Sequence, residues 1–275
     1  MNEFSNQNID KIIARIPLLA EFRAVEIEIK PLSGFTNQNF RLINKYGDWI
    51  LRIPKPQTNR HIDRQAEAAN ASIAHRLGLA PECAWRDDSG LSLTATLKNT
   101  RELSREELQQ KPMQHRLAVT LRRLHRSNCE FRGSVNLDVL LTRYYRMIPE
   151  AIQPKLADDY ENAKAVLKLL ELKDDMLVPS HNDLVLENLL LDDSGRIWII
   201  DWEYASMATP YWDLATLCNA AELNYQQSLS LLNAYQGDTT EYSIDSLIHY
   251  RTVLQVLSDC WMAAFTRSAG NKISC

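Results

Sequence analysis

The segment from His181 to Glu203 constrains the fold of this chain more than any other. It opens with His181-Asn182-Asp183, places Asn188 five residues after Asp183, and sets a second aspartate, Asp201, thirteen residues beyond Asn188. Between them run Leu189-Leu190-Leu191, the polar stretch Asp192-Asp193-Ser194-Gly195, and Ile197-Trp198-Ile199-Ile200. An apolar strand, a polar turn with glycine and a second apolar strand predict a β-hairpin. Paired strands lie about 4.8 Å apart, so the hairpin would return Asp201 to the loop that carries Asp183 and Asn188. One carboxylate could then take a proton while Asn188 and Asp201 hold magnesium. That ion favours oxygen ligands and often takes only one or two protein groups besides substrate phosphates. A surface hairpin has no need of His, Asp, Asn and Asp at these offsets.

The segment resembles the catalytic segment of the protein-kinase-like fold, in its small-molecule branch. The family's H-R-D and D-F-G stand here in altered form, as His181-Asn182-Asp183 and Asp201-Trp202-Glu203. In that family the catalytic-loop Asp is the base, and the Asn and second Asp bind metal. The resemblance therefore implies Asp183 as the base, Asn188 and Asp201 as magnesium ligands, and ATP as the phosphate donor. It also implies structural roles for two residues: Asp213 matches the Asp that braces the catalytic loop, and His181 would orient that loop by hydrogen bonding.

At 275 residues the chain can bury a sizeable core, as one large domain or two lobes. The hydrophobic and charged fractions, 45% and 24%, are ordinary for a globular protein. A net charge of −4 gives no nucleic-acid footprint, and the cluster Arg122-Arg123, His125-Arg126 reads as a solvated helix face. The five cysteines, Cys83, Cys129, Cys218, Cys260 and Cys275, are odd in number and show no C-x-x-C pair. Reduced thiols in the cytoplasm are the expectation, in place of a zinc site or a disulfide framework. No basic region followed by an apolar core opens the chain, and no apolar run approaches the length of a membrane span.

Apolar spacing predicts a helix over residues 8–20, and strict alternation predicts a strand over 24–30. Two more strands follow at 40–44 and 49–53, a helix over 60–77 ending at Gly78, and strands at 83–86 and 91–97. From about residue 101 helical patterns dominate, over 103–110, 113–127, 136–148, 157–172, 211–222, 225–235 and 243–268, interrupted by the hairpin. A strand-rich front and a helix-rich back predict an α+β chain of two lobes. With the resemblance, this becomes a bilobal kinase-like fold. Residues 1–98 would form a small β-rich nucleotide-binding lobe, and residues 99–275 a larger helical lobe with the catalytic loop and acceptor site.

Residues 31–41, Pro-Leu-Ser-Gly-Phe-Thr-Asn-Gln-Asn-Phe-Arg, lie between the first two strands. Small and polar residues there let backbone N–H groups approach a polyphosphate. The stretch resembles the L-S-G-G-x-T-N-x-N-Y loop of choline kinases, with Phe35 in place of the second glycine. This implies nucleotide contacts from Ser33, Gly34, Thr36, Asn37 and Asn39. Arg52 lies on the third strand, where protein kinases carry a Lys paired with a helix Glu, and Glu67 lies on the following helix. Arg52 could hold phosphate oxygens in a bidentate fork. Lys55 competes for that role but lies past the strand's end, between Pro54 and Pro56. Adenine would contact backbone near residues 95–98.

Residues 200–205, Ile-Asp-Trp-Glu-Tyr-Ala, and 208–215, Ala-Thr-Pro-Tyr-Trp-Asp-Leu-Ala, resemble bacterial choline kinases of the lipopolysaccharide-decorating type. The resemblance runs from about Pro31 to at least Leu223. It implies a small cationic alcohol as acceptor, choline first and thiamine second, with ethanolamine and aminoglycosides weaker. Aromatic faces and carboxylates suit a quaternary ammonium. Glu203, Tyr204, Trp212 and Trp261 are the candidates, with Trp212 and Trp261 open between the pocket and the core. A nucleotide-binding pseudoenzyme acting as a scaffold would have lost Asp183, Asn188 or Asp201, and all three are present.

Overall fold

The computed structural model describes residues 6–20, 26–32, 34, 37–59, 61–170, 176–239 and 241–265. The first part of the chain holds α1 (Asn6–Ile13), β1 (Glu28–Leu32), β2 (Asn37–Asn44), β3 (Gly47–Pro54), the single turn α2 (Pro56–Asn59), α3 (Arg64–Arg76), β4 (Cys83–Arg86) and β5 (Ser92–Ala95). The five strands form one antiparallel sheet in the order β1-β2-β3-β5-β4. Asn44 sets the β2–β3 turn, its Oδ1 accepting from the N–H groups of Tyr46 at 2.8 Å and Gly47 at 3.0 Å. Leu42, Leu51 and Leu93 pack with Ile9, Ile13, Ile16 and Leu19 in a small core of their own.

Two expectations shift here. The predicted helix over 8–20 ends at Ile13; Ile16 and Leu19 keep their burial in successive turns, because Pro17 has no N–H to continue the ladder. The first strand begins at Glu28 and runs to Leu32, while residues 24 and 25 lie outside the described residues. The helix expected over 60–77 is α3. Asp63 caps its start by accepting from Gln65 and Ala66 N–H, and the chain leaves it through Gly78 at φ +68°, where a Cβ would stand 2.7 Å from an Arg196 nitrogen.

The rest of the chain runs β6 (Thr100–Glu102), α4 (Arg105–Leu108), α5 (Lys111–His125), α6 (Leu137–Met147), α7 (Ala157–Leu170), β7 (Val178–Ser180), β8 (Leu189–Asp192), β9 (Ile197–Ile199), β10 (Ser206–Ala208), α8 (Pro210–Ala220), α9 (Tyr225–Gln236) and α10 (Ile244–Phe265). The β8–β9 hairpin is in the expected place, paired Leu189 to Ile199 and Leu191 to Ile197. Three short strands escape sequence reading. β6 extends the hairpin into a three-stranded sheet, and β7 pairs with β10. Three residues cannot display an alternation, so these strands exist only through partners distant in sequence. The architecture is α+β, with helices α5 to α10 gathered around a second, larger core. Among the described residues no helix is long and apolar enough to cross a membrane.

Helix α3 joins the larger core through Ala74, with Leu79 and Ala80 just after it. Buried Asn70 is the polar stitch. Its Nδ2 donates to Ala205 O at 2.7 Å and Arg132 O at 3.0 Å, and its Oδ1 accepts from Arg132 N–H at 2.8 Å. Asn70→Ala should strand these backbone groups and cost about 2–4 kcal/mol, since each unsatisfied buried group costs about 1–3. The thermal midpoint should fall by roughly 5–10 °C. An unchanged midpoint in a melting experiment would show that the stitch carries no stability.

Candidate active site

The chain leaves β7 at Ser180 and turns sharply, with Asn182 in the left-handed region at φ 66°. Buried Asp213 on α8 fixes that turn. Its Oδ2 accepts from His181 N–H at 2.9 Å and its Oδ1 from Asn182 N–H at 2.7 Å. His125 on α5 donates from Nε2 to Asp213 Oδ2 at 3.0 Å, and its Nδ1 meets the Tyr235 hydroxyl at 2.8 Å. Burial alone would raise the Asp213 carboxyl, but the hydrogen bond and charge of His125 hold it below its usual value. Asn182 Nδ2 donates to Tyr204 O at 3.0 Å and Ser206 Oγ at 2.8 Å. Trp212, 5% exposed, donates from its indole N–H to Asn182 O at 3.0 Å, so it packs within the core and supports the loop.

His181 is fully buried and both ring nitrogens are used. Nε2 donates to Ile200 O at 3.0 Å and Nδ1 accepts from Asp183 N–H at 3.3 Å. Burial lowers its pKa, which keeps the ring neutral. It holds the loop against the end of β9 and has no nitrogen left to take a substrate proton.

Asn188 ends a 3-10 turn, Leu186–Asn188, and its Nδ2 donates to Asp183 O at 2.9 Å and to Asp183 Oδ2 at 3.3 Å. That orientation leaves Asn188 Oδ1 as the atom for a cation. Ile200 N–H donates to Asn188 O at 3.0 Å, so the hairpin brings the two ends of the motif together. Asp201 follows in the left-handed region at φ 63°. Desolvation in the cleft, then the charges of Asp201 and Glu203, push the Asp183 carboxyl up to about 7. Desolvation also raises Asp201 and Glu203, against the opposing charge of Arg52. Three carboxylates thus share a site whose burial disfavours their charged forms, and Arg52 offsets this only in part. A hard divalent cation would relieve that crowding, and Asn188 with Asp201 offers the oxygen donors that magnesium takes.

Arg52 on β3 reaches this group from the sheet. Its Nη1 lies 3.0 Å from Asp201 Oδ1, and its Nη2 pairs with Glu67 Oε1. Glu67, 2% exposed, also pairs with Arg64 at 2.6 Å and Arg86 at 3.2 Å. Burial would raise Glu67, yet Arg52, Arg86 and Arg64 hold it below its usual value. The Arg52–Glu67 pair is therefore the centre of a buried network, unlike a solvent-screened surface pair. Arg64 and Arg86 carried no signal in the sequence, because only the fold brings β4 and the start of α3 to one carboxylate.

Gly34 of the loop before β2 needs its missing side chain: a Cβ would stand 2.6 Å from Asn37 O and 2.6 Å from Asn39 Nδ2. Lys55 Nζ donates to Gly34 O at 3.1 Å, so it fastens this loop while Arg52 faces Asp201. Asn39 stands opposite Arg52 in the β2–β3 ladder. Ser33, Phe35 and Thr36 lie outside the described residues. Asn37 Nδ2 donates at 3.2 Å to Glu203 Oε2, which Arg64 Nη1 approaches at 3.4 Å. Glu203 thus looks toward the sheet and acts on the far side of the cleft through its charge.

That far side is aromatic. Tyr204 is raised by burial, then by the charges of Glu203, Tyr144 and Asp183. Tyr144 on α6 is pushed up to about 12 by burial and, against Arg143, by Asp183 and Glu203. Both phenols therefore sit within electrostatic reach of Asp183. Tyr144 meets Phe265 edge-on at 6.1 Å between ring centroids, and Phe265 lies 5.4 Å from Trp261. Tyr144 and Phe265 were missed by sequence reading. In a helical pattern an aromatic residue on the apolar side looks like core.

This site can be set beside known proteins. Over 220 residues, 78% of this chain, it is 34% identical to the protein LicA of Haemophilus influenzae, and it spans less than two thirds (65%) of that relative's length. Its fold is similar to the crystal structure of choline kinase LicA from Streptococcus pneumoniae, with a TM-score of 0.84 and 25% identity, covering 97% of this chain and 92% of that one. A structure of LicA in complex with AMP matches at a TM-score of 0.81 and 25% identity, covering 96% of this chain and 91% of that one. The profile of the phosphotransferase enzyme family matches residues 28–243, a span that runs from the first strand of the sheet past Asp183, Asn188, Asp201 and Asp213, and the chain belongs to that family.

Proposed function

We propose that this chain transfers the γ-phosphoryl group of ATP to the hydroxyl of a small cationic alcohol, with choline the first choice. The observation that carries the reading is the position of Asp183. On one side it bonds Asn188 and lies in the field of Asp201, which Arg52 faces, and on the other its charge reaches Tyr144 and Tyr204. In the reaction the acceptor oxygen bonds to the γ-phosphorus, the bond from that phosphorus to the ADP oxygen breaks, and the hydroxyl proton passes to Asp183. Burial, the largest cause, holds that carboxyl above its usual value, which favours its taking a proton. Arg52 holds phosphate oxygens, and the loop at Gly34, with Asn37 and Asn39, approaches the phosphates through its backbone. Magnesium, held by Asn188 and Asp201, would supply charge neutralisation at the phosphates. Adenine meets backbone near residues 95–98, where a boundary between lobes of residues 1–98 and 99–275 would fall. The likeness to LicA with bound AMP supports the nucleotide, and the choline kinase of Streptococcus supports the acceptor class.

Choline offers no N–H donor, so it must be recognised by aromatic faces and negative charge, each face contributing about 0.5–2 kcal/mol. Tyr204, Trp261, Tyr144 and Phe265 supply the faces, and Asp183 and Glu203 supply the charge. Thiamine is the main competitor, because its thiazolium ring could stack on the same residues. The test is ADP formation from ATP and magnesium with choline, thiamine and ethanolamine in one assay. The specificity constant for choline should exceed that for thiamine by about tenfold or more, roughly 1.4 kcal/mol of discrimination. A higher value for thiamine would replace the acceptor and keep the kinase. Turnover that no alcohol accelerates would overturn the kinase reading.

A further inference from the structure

His61, in the short link between α2 and α3, reaches out of the sheet-bearing part of the chain to the aromatic group beside Asp183. The link is held on both sides. Asn59 Oδ1 accepts from Arg64 Nε at 2.7 Å, and Asn59 Nδ2 donates to Ser89 O at 3.3 Å. Asp63 caps α3, and Arg64 is fixed in turn by Glu67 at 2.6 Å and Glu203 at 3.4 Å. From this anchored position the His61 ring meets Phe265 of α10 edge-on, with centroids 5.4 Å apart and planes at 71°. Its Nδ1 accepts from Arg143 Nη2 of α6 at 2.6 Å. Arg143 immediately precedes Tyr144, and Tyr144 and Trp261 are further aromatic neighbours of Phe265. One imidazole therefore touches both helices that carry the aromatic group, from across the cleft.

We propose that His61 is a specificity-determining residue of the acceptor site, a ring supplied by the opposite lobe that fixes Phe265 and limits the size of the cation the Tyr144–Trp261–Phe265 group admits. The inference rests on the kinase reading above. One physical effect supports it. An edge-to-face contact fixes the rotation of Phe265, the last described residue of α10, so the ring presents a constant face to a cation.

The test compares His61→Ala, His61→Phe and His61→Gln in the full chain, with choline and thiamine as acceptors. His61→Ala should raise the KM for choline roughly three- to tenfold, the worth of one aromatic pair. The value of kcat at saturating choline and the KM for ATP should move less than about twofold, because the ring acts on acceptor binding and not on the transferred group. The ratio of specificity constants, choline over thiamine, should fall, since the vacated space favours the larger cation. His61→Phe keeps a ring against Phe265 and should restore most of the choline KM, whereas His61→Gln keeps only an acceptor for Arg143 and should behave as alanine does. The inference is overturned if the wild-type chain phosphorylates choline and His61→Ala leaves both the choline KM and the ratio unchanged. It is equally overturned if glutamine restores the KM and phenylalanine does not. Should the alanine variant fail to fold, the phenylalanine and glutamine pair decides by the same criteria. A wild-type chain that phosphorylates no alcohol fails at the earlier step, since then the kinase reading itself is lost.

Discussion

Asp183→Ala should lower turnover by about 10²–10⁴, the usual worth of a positioned proton acceptor, while nucleotide affinity changes little. The separation is expected because the loop does not depend on the Asp183 carboxylate. Its turn is held by Asp213 through the backbone N–H groups of His181 and Asn182, and by Asn182 through Tyr204 and Ser206. Asn188 keeps its 2.9 Å bond to the backbone carbonyl of residue 183 after the carboxylate has gone. Arg52 and Asp201 stay in place on β3 and after β9. His181 cannot replace the lost base, because both its nitrogens are already bonded. Single-turnover rates and nucleotide binding, measured separately, check this. A variant retaining more than about a tenth of wild-type turnover would remove Asp183 from the base role.

How much of this was legible in the sequence follows from how local each feature is. His181, Asp183, Asn188 and Asp201 lie within one hairpin and its approach, so two short apolar runs around a glycine turn were enough to bring them together. Arg52 and Glu67 could be paired because each stood on an element readable by itself, a strand and a helix of the sheet-bearing part. Arg64 and Arg86 could not, since nothing in a helix start or a four-residue strand announces a shared carboxylate. The aromatic side divides in the same way. Trp261 stood on the last helical pattern of the sequence, whereas Tyr144 sits on a helix more than a hundred residues away, and His61 in a link with no pattern at all. Their meeting is made by tertiary packing alone.

Trp212 and Glu203 show a subtler limit. Both residue types suit a cation pocket, and both lie close to the loop of residues 181–183. Residue type does not give direction, however. The Trp212 indole turns inward to Asn182 O, and the Glu203 carboxylate turns to Asn37 and Arg64. Nor could spacing reveal β7 and β10, whose pairing sets the point from which residues 181–183 depart.

Asp201→Asn should lower kcat by roughly 10²–10³ at ordinary magnesium concentration and move the activity curve to higher magnesium. A metal at a transferring phosphoryl group supplies several kcal/mol of charge stabilisation, and each 1.4 kcal/mol is about tenfold. Asparagine keeps the shape and one oxygen but not the charge, and a hard cation prefers the charged ligand. Asp201 also faces Arg52 at 3.0 Å, so the substitution releases Arg52 from one of its carboxylates. That effect is distinguishable. Arg52 remains tied to Glu67, so a loss that arose from Arg52 alone would appear as weaker nucleotide binding at every magnesium concentration. A loss of metal affinity should instead be largely repaired by excess magnesium. Asn188→Ala should follow the same curve with a smaller displacement, because it removes a neutral oxygen, although it also frees Asp183 from its side-chain bond. Activity measured against magnesium from micromolar to tens of millimolar separates these cases. If the Asp201→Asn curve overlays that of the wild-type chain, Asp201 is not a metal ligand, and the carboxylate crowding around it must serve the cationic acceptor instead.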